Sequence, residues 1–320
     1  MNKYDFITCA DVTAARDRIA PYINRTPLVR AESFTPEIYL KLETLQRTGA
    51  FKIRGAMNRI LQLDESEKKR GVVTVSTGNH GRAVAYAARM TGTKATICMS
   101  DMVPQNKRDA IGALGADIVI EGHSQDEAAI AADRMVKSGN MVMVPPFDDP
   151  DILAGQATIG LEIHDDVPQA QTILVPLSGG GLMGGIAFAM KSLNPAVRVI
   201  GVSTIQCPAM ARSIEAGKPV DVVENDSLAD SLGGGIGQDN RYSFPLIRDL
   251  VDDIILVSED EIAAAMRYLF LREGLVTEGG AAVCVAAILA DKIDLQEPVV
   301  CVLSGRNVDM RHFLDIVRSS

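Results

Sequence analysis

From Gly71 onward, short runs of consecutive apolar residues alternate with longer stretches whose apolar positions recur at helical spacing. Val72–Ser76, Ala95–Met99, Asp117–Ile120 and Met141–Val144 read as strands. His80–Met90, Pro104–Leu114 and Gln125–Val136 read as the helices between them, the second with proline near its first turn and Gly115 at its end. Strands that are apolar throughout, joined by helices, predict a parallel sheet covered on both faces. Pro145-Pro146-Phe147-Asp148-Asp149-Pro150 is the clearest boundary. Beyond it a second set has strands at Thr172–Leu177, Val197–Val202, Ile254–Val257 and Val299–Leu303. There Ser258-Glu259-Asp260-Glu261 has the form of a capping box ahead of Ile262, Met266 and Leu269 at helical spacing. Upstream, residues 10–24 read as an amphipathic helix with Val12, Ala15, Ile19 and Ile23 on one face. Arg25–Val29 is extended around Pro27, Tyr39–Glu43 is strand-like and Ala56–Leu63 helix-like. No solenoid repeat and no low-complexity tract interrupts this order.

Composition narrows the picture. With 320 residues, 47% of them hydrophobic, the chain has material for a large core and for two domains. A net charge of −9 without a long basic run argues against nucleic acid as a partner. No apolar stretch approaches the roughly 18 residues of a membrane span, and Met1-Asn2-Lys3-Tyr4-Asp5 has no apolar signal core. Cys9, Cys98, Cys207, Cys284 and Cys301 form no metal-spaced pair and read as reduced, buried thiols of a cytoplasmic protein. The four histidines are scattered, which argues against a histidine-rich metal centre.

Four stretches carry candidate chemistry. In Thr48-Gly49-Ala50-Phe51-Lys52-Ile53-Arg54-Gly55-Ala56, a lysine stands among small and apolar residues at a strand-to-helix junction. Desolvation disfavours its ammonium form and makes it a nucleophile toward carbonyls; the plainer reading is a surface lysine that begins a helix. Ser178-Gly179-Gly180-Gly181-Leu182-Met183-Gly184-Gly185 follows a strand and opens a helix. So many glycines cost about 1 kcal/mol each against alanine in a helix. The cost makes sense where bare N–H groups must approach a phosphate, or where a helix must pack tightly. It is not a Walker loop, and no acidic residue ends the next strand as a dinucleotide site requires. Ser76-Thr77-Gly78-Asn79-His80-Gly81 is a second turn into a helix, suited to a carboxylate or to plain helix capping. Ser304-Gly305-Arg306-Asn307 ends the last apolar strand, where ligands sit in open α/β sheets, or it is a simple turn.

Together these stretches resemble the fold-type II family of pyridoxal-phosphate enzymes, in its threonine/serine dehydratase and serine racemase branch, from Asp11 to about Asp315. The resemblance implies an α/β, tryptophan synthase β-like fold of two domains, each a mostly parallel sheet covered by helices. Residues 1–61 and 149–320 would form the large cofactor-binding domain, and residues 62–148 a small mobile domain carrying the substrate loop. It further implies that Lys52 holds the cofactor as an internal aldimine and moves the α-proton. Phe51, Asn79, Ser178, Gly179, Gly180, Gly181, Leu182 and Ser304 would bind the cofactor, with serine replacing the more usual first glycine at Ser178. Ser76, Thr77, Asn79 and His80 would bind the substrate, with Thr77 also catalytic, and Arg306 would reach a polar substrate tail. Ser304 as the ring-nitrogen partner, in place of an aspartate, keeps that nitrogen neutral and favours β-elimination over transamination.

Within the branch, Leu42-Glu43-Thr44-Leu45-Gln46, Ala229–Gly235 and Ser304–Met310 are most similar to the dehydratases of hydroxyectoine utilisation. That implies a hydroxylated diaminobutyrate substrate; threonine or serine dehydration, hydroxyaspartate ammonia-lyase and serine racemase activity are the alternatives, and a non-catalytic small-molecule sensor is a reading of another class. Ser203 stands where metal-binding relatives carry a glutamate, so a divalent metal is not expected. Thr77 stands where racemases carry a serine, and no regulatory domain is expected after Ser320, which argues against the allosteric biosynthetic threonine deaminases. The implied assembly is a cytoplasmic homodimer acting on an amino acid, without nucleic-acid or membrane partners.

Overall fold

The computed structural model describes residues 3–76, 78–103 and 105–318, apart from the side chains of residues 106, 107, 125 and 126. In chain order the elements are α1 (Cys9–Ile19), β1 (Leu28–Arg30), β2 (Ile38–Leu42), α2 (Ile53–Leu61), α3 (Glu65–Arg70), β3 (Val72–Val75), α4 (Asn79–Thr91), β4 (Ala95–Met99), α5 (Gln105–Gly112), β5 (Asp117–Ile120), α6 (Gln125–Lys137) and β6 (Val142–Met143). They continue as α7 (Pro150–Asp166), β7 (Thr172–Pro176), α8 (Gly181–Leu193), β8 (Arg198–Thr204), α9 (Ala209–Ala216), α10 (Ser243–Leu250), β9 (Asp253–Val257), α11 (Glu259–Glu273), α12 (Gly279–Leu289), β10 (Val299–Leu303) and α13 (Met310–Arg318).

Two sheets result. The larger runs β1-β2-β10-β7-β8-β9, antiparallel only between β1 and β2. The smaller runs β5-β4-β3-β6 and is parallel throughout. The expected pair of mostly parallel sheets is therefore present. Alternation along β10 shows why helices cover both faces of the larger sheet. Val299, Cys301 and Leu303 pack with Ala265, Met266 and Leu269 of α11 and Val283 of α12. Val300 and Val302 point the other way, into a cluster with Ile159 of α7 and Met183 and Ile186 of α8. A third cluster joins Ile53, Met57 and Ile60 of α2 to Ala83, Val84 and Ala87 of α4 and to Val72 and Ile97 of the smaller sheet.

Three sequence expectations shift. The first helix stops at Ile19 and not at residue 24, because Pro21 has no N–H to continue the ladder. The helix expected from Ala56 begins at Ile53, which makes Lys52 its N-cap residue. Cys9 is exposed, unlike the other four cysteines.

Candidate active site

Lys52 sits where β10 and α2 meet. The segment before it runs antiparallel to the end of β10: Phe51 N–H donates to Ser304 O (3.0 Å), Arg306 N–H donates to Gly49 O (2.9 Å), and Ala50 bridges Gly305. The lysine and Ser304, far apart in sequence, are thereby neighbours. Ser304 is buried. Lys52 Nζ donates to Pro146 O at 2.7 Å and lies 5.3 Å from the centre of the Phe51 ring. Burial pulls the Lys52 amine down to about 8, against the nearby Glu278 charge, which favours the ammonium. A substantial neutral fraction thus exists near physiological pH, as a nucleophile requires.

The glycine run opens α8. Gly180, its N-cap residue, has φ +94°, and a Cβ there would lie 2.5 Å from Ile247 Cδ1. Only glycine suits that backbone. The first N–H groups of α8 have no partner within the helix and point along its axis, the arrangement that receives a phosphate. Not every glycine serves this end. A Cβ on Gly185 would meet Leu153 O at 2.7 Å and Ala157 N at 2.8 Å, so this glycine lets α8 approach α7. The packing account of the run holds for that part. Ser178 is half-buried, and Gly179, Gly181 and Leu182 are buried.

At the start of α4, Ser76 Oγ accepts from Gly78 N–H at 3.3 Å. Thr77 lies outside the described residues. Asn79 donates through Nδ2 to Glu278 Oε1 (2.8 Å), and its Oδ1 accepts from Asn307 Nδ2 (2.6 Å). Asn307 also donates from Nδ2 to Thr48 O (2.9 Å) and from its backbone N–H to Glu278 Oε2 (3.0 Å), while its Oδ1 accepts from Arg82 (3.2 Å). Glu278 is buried at the N-terminus of α12. Burial raises its pKa, opposed by hydrogen bonds from Asn79 and Ser231. Glu278 and Arg82 lie outside the four candidate stretches, and Asn307 lies in one of them without an assigned role. The one signal for Glu278 was an acid directly preceding the apolar run Gly279–Leu289.

His80 is turned inward. Its Nε2 is 2.9 Å from Val144 O, and burial together with the Lys52 charge pulls its pKa down to about 3 despite that bond. A neutral imidazole committed to a backbone carbonyl anchors α4, while the backbone N–H of His80 lies in the first turn of that helix. Arg306 is exposed beside Ser304. Ser203 is buried on β8, and no cluster of three or more histidine, cysteine, aspartate or glutamate side chains that would hold a metal occurs among the described residues.

These residues fit the implied cofactor. A lysine amine of lowered pKa, a glycine-opened helix N-terminus and a buried hydroxyl at a strand end lie around one stretch of chain. The Pro146 carbonyl of that stretch accepts the lysine hydrogen bond, and its neighbour Phe147 lies against the glycine loop, where a Cβ on Gly181 would meet Phe147 Cα at 2.9 Å.

The family described as "Pyridoxal-phosphate dependent enzyme" matches residues 19–305. The chain is 50% identical over 315 residues to a putative threonine dehydratase of Sinorhizobium fredii, covering 97% of this chain and 95% of the relative. It is 43% identical over 309 residues to the L-threonine ammonia-lyase of Thermotoga maritima, covering 95% of this chain and 76% of that one. Among solved structures, maize serine racemase superposes with a TM-score of 0.90 at 33% identity, over 96% of this chain and 95% of that one.

Proposed function

The chain belongs to the pyridoxal-phosphate dependent enzyme family, and on that premise we propose that it dehydrates and deaminates β-hydroxy-α-amino acids, threonine and serine first among them. The observation that carries this reading is the Lys52 amine, depressed to about 8 and placed next to Ser304. Pyridoxal phosphate, which Lys52 would hold through the cofactor's aldehyde carbon, would supply an electron sink for the substrate's Cα. The substrate's α-amino group would take the place of Lys52, whose freed amine then takes the Cα proton. Unpaired N–H groups at the start of α4, with Ser76, hold the substrate carboxylate, and the first turn of α8 holds the phosphate. Ser304 offers the ring nitrogen a hydroxyl in place of a carboxylate, which leaves that nitrogen neutral and favours loss of the β-hydroxyl as water. The enamine released hydrolyses to a keto acid and ammonia.

Relatives at 50% and 43% identity carry threonine in their names. That supports threonine and serine over the hydroxylated diaminobutyrate implied by the three similar segments, which becomes a competing arm of the assay. We take residues 62–148, with the smaller sheet, as the unit that moves over the site, and residues 1–61 with 149–320 as the unit that holds the cofactor. We take the enzyme to act as a cytoplasmic homodimer, which light scattering tests. No helix among the described residues is long and apolar enough to cross a membrane.

The test is keto-acid release from threonine, serine, hydroxyaspartate and hydroxylated diaminobutyrate, run beside Lys52→Ala. The reading expects keto acid from threonine and serine, and none from the variant. Full turnover by Lys52→Ala would overturn the mechanism, and selective turnover of the diamino substrate would overturn the substrate.

A further inference from the structure

The stretch Pro145–Pro150 reads in the sequence as a boundary between domains, yet its side chains and carbonyls are committed to the site. Pro146 O accepts from Lys52 Nζ at 2.7 Å. The Phe147 ring packs on Gly179, in the space a Cβ there would need, and Phe147 Cα lies under Gly181. Asp149, one residue past the centre of the stretch, caps α7 by accepting from Asp151 and Ile152 N–H.

Asp148 lies between these contacts. Its Oδ1 accepts from Tyr242 N–H (2.9 Å) and Ser243 N–H (2.8 Å), and its Oδ2 from Arg241 N–H (2.8 Å). Three backbone donors on one carboxylate are charge-assisted bonds and hold the linker to the entry of α10. From that entry, the fully buried Ser243 donates through Oγ to Gly179 O at 2.8 Å, and Asn240 Nδ2 donates to Ser243 Oγ at 2.9 Å. One continuous path therefore runs from Lys52 through Pro146, Asp148 and Ser243 to Gly179. It joins the amine to the first residues of the glycine loop.

We propose that Asp148 is a positioning residue that sets the distance between the Lys52 amine and the phosphate-receiving loop, acting through Ser243. The proposal rests on the reading of Lys52 and the glycine loop as the two ends of the cofactor site. A cofactor bonded at its aldehyde end and gripped at its phosphate end needs both ends in register at once. Loosening the path costs affinity for the phosphorylated molecule. It costs little for pyridoxal, which has no phosphate to place.

The test uses the full-length protein, stripped of cofactor and titrated with pyridoxal phosphate and separately with pyridoxal, reading the visible absorbance of the lysine-bound form. For Asp148→Asn, which keeps the size but loses acceptor capacity and charge, the dissociation constant for pyridoxal phosphate is expected to rise about tenfold. That for pyridoxal should change less than about twofold. Ser243→Ala should move the same ratio in the same direction, and the double variant should lose no more than the worse single one, because both act on one path. An unchanged ratio in either folded variant, or equal loss for both ligands, would overturn the proposal. Should Asp148→Asn not fold, Ser243→Ala, which removes one hydroxyl, decides alone. Lys52→Ala run alongside separates the two ideas: the same absorbance in that variant would remove the reading of the site itself, whereas unchanged Asp148→Asn affinity removes only the positioning role.

Discussion

Lys52 is held between burial, which strips its proton, and the Glu278 carboxylate, which favours keeping it. Two outcomes follow from the sign of each. Only the neutral amine attacks the cofactor aldehyde, so capture of pyridoxal phosphate by stripped protein should rise with pH, with a midpoint near 8. Glu278→Gln removes the charge that raises the lysine pKa, so stopped-flow absorbance should find that midpoint at lower pH. Ser304→Asp should leave cofactor binding largely intact and lower elimination by at least about tenfold, with transamination products appearing, because a carboxylate there would hold a proton on the ring nitrogen. Lys52 and the glycine run were legible because each is a local departure from what the chain would otherwise choose. Glu278 and Asn307 were not, since their meaning lies in Asn79, 199 and 228 residues away. His80 was legible as a residue but not as a role: its partner, Val144 O, is a backbone atom that no side chain announces.

The helix that carries Lys52 is fixed by a buried ion cluster. Arg54, the second residue of α2, pairs through Nε and Nη2 with Glu43 (2.8 Å each) and through Nη1 and Nη2 with Glu162 of α7 (2.7 and 2.9 Å). Lys41 of β2 completes it at 2.5 Å from Glu162 and 2.7 Å from Thr26 O. Arg54→Ala leaves two buried carboxylates short of partners and should cost about 3–5 kcal/mol, read by denaturant unfolding. Burial alone would raise the Glu162 pKa, but Arg54 and Lys41 together hold it below the ordinary 4.5. Its contribution is therefore complete above that value and is lost as pH falls through the depressed one, so thermal melts should weaken on acidification in that window. Arg54→Met should flatten this part of the profile. The cluster was invisible in the sequence because Lys41, Glu43, Arg54 and Glu162 look like any scattered charges until β2, α2 and α7 are packed. Elements were missed for the converse reason. α3 has no buried residue and hence no apolar stripe, being held by its Asp64–Glu67 capping box. α12 is buried on nearly every side and shows no stripe because it is apolar all round. The capping box at Ser258 and Glu261, a purely local device, is legible in the sequence and forms as expected.

At the scale of the whole molecule, the Asn79 side chain adds a polar tie to the apolar packing of α2 on α4, linking α4 to Glu278 at the start of α12 and to Asn307 beyond the end of β10. Asn79→Ala cuts both hydrogen bonds without touching either core. It should lower kcat/KM about tenfold and raise hydrogen exchange at the start of α4, with little change in global stability. The presence of two units with mostly parallel sheets is legible from the alternation of apolar runs and helices. The order of strands was not, because nothing in the text of β2 says that β10 lies beside it. That pairing bears on how the molecule comes into being. A ribosome delivers Lys52 early and Ser304 only near the end of synthesis, and β10 is the strand that fills the gap between β2 and β7. Until it arrives, the nascent chain shows two bare strand edges, each a template for the wrong partner. On the proposed role of Ser304, vitamin capture would then report on completeness: a polypeptide whose translation stalls before Val299 has no strand to close its sheet, no Ser304 hydroxyl to offer the ring, and every reason to be claimed by a chaperone or a protease first.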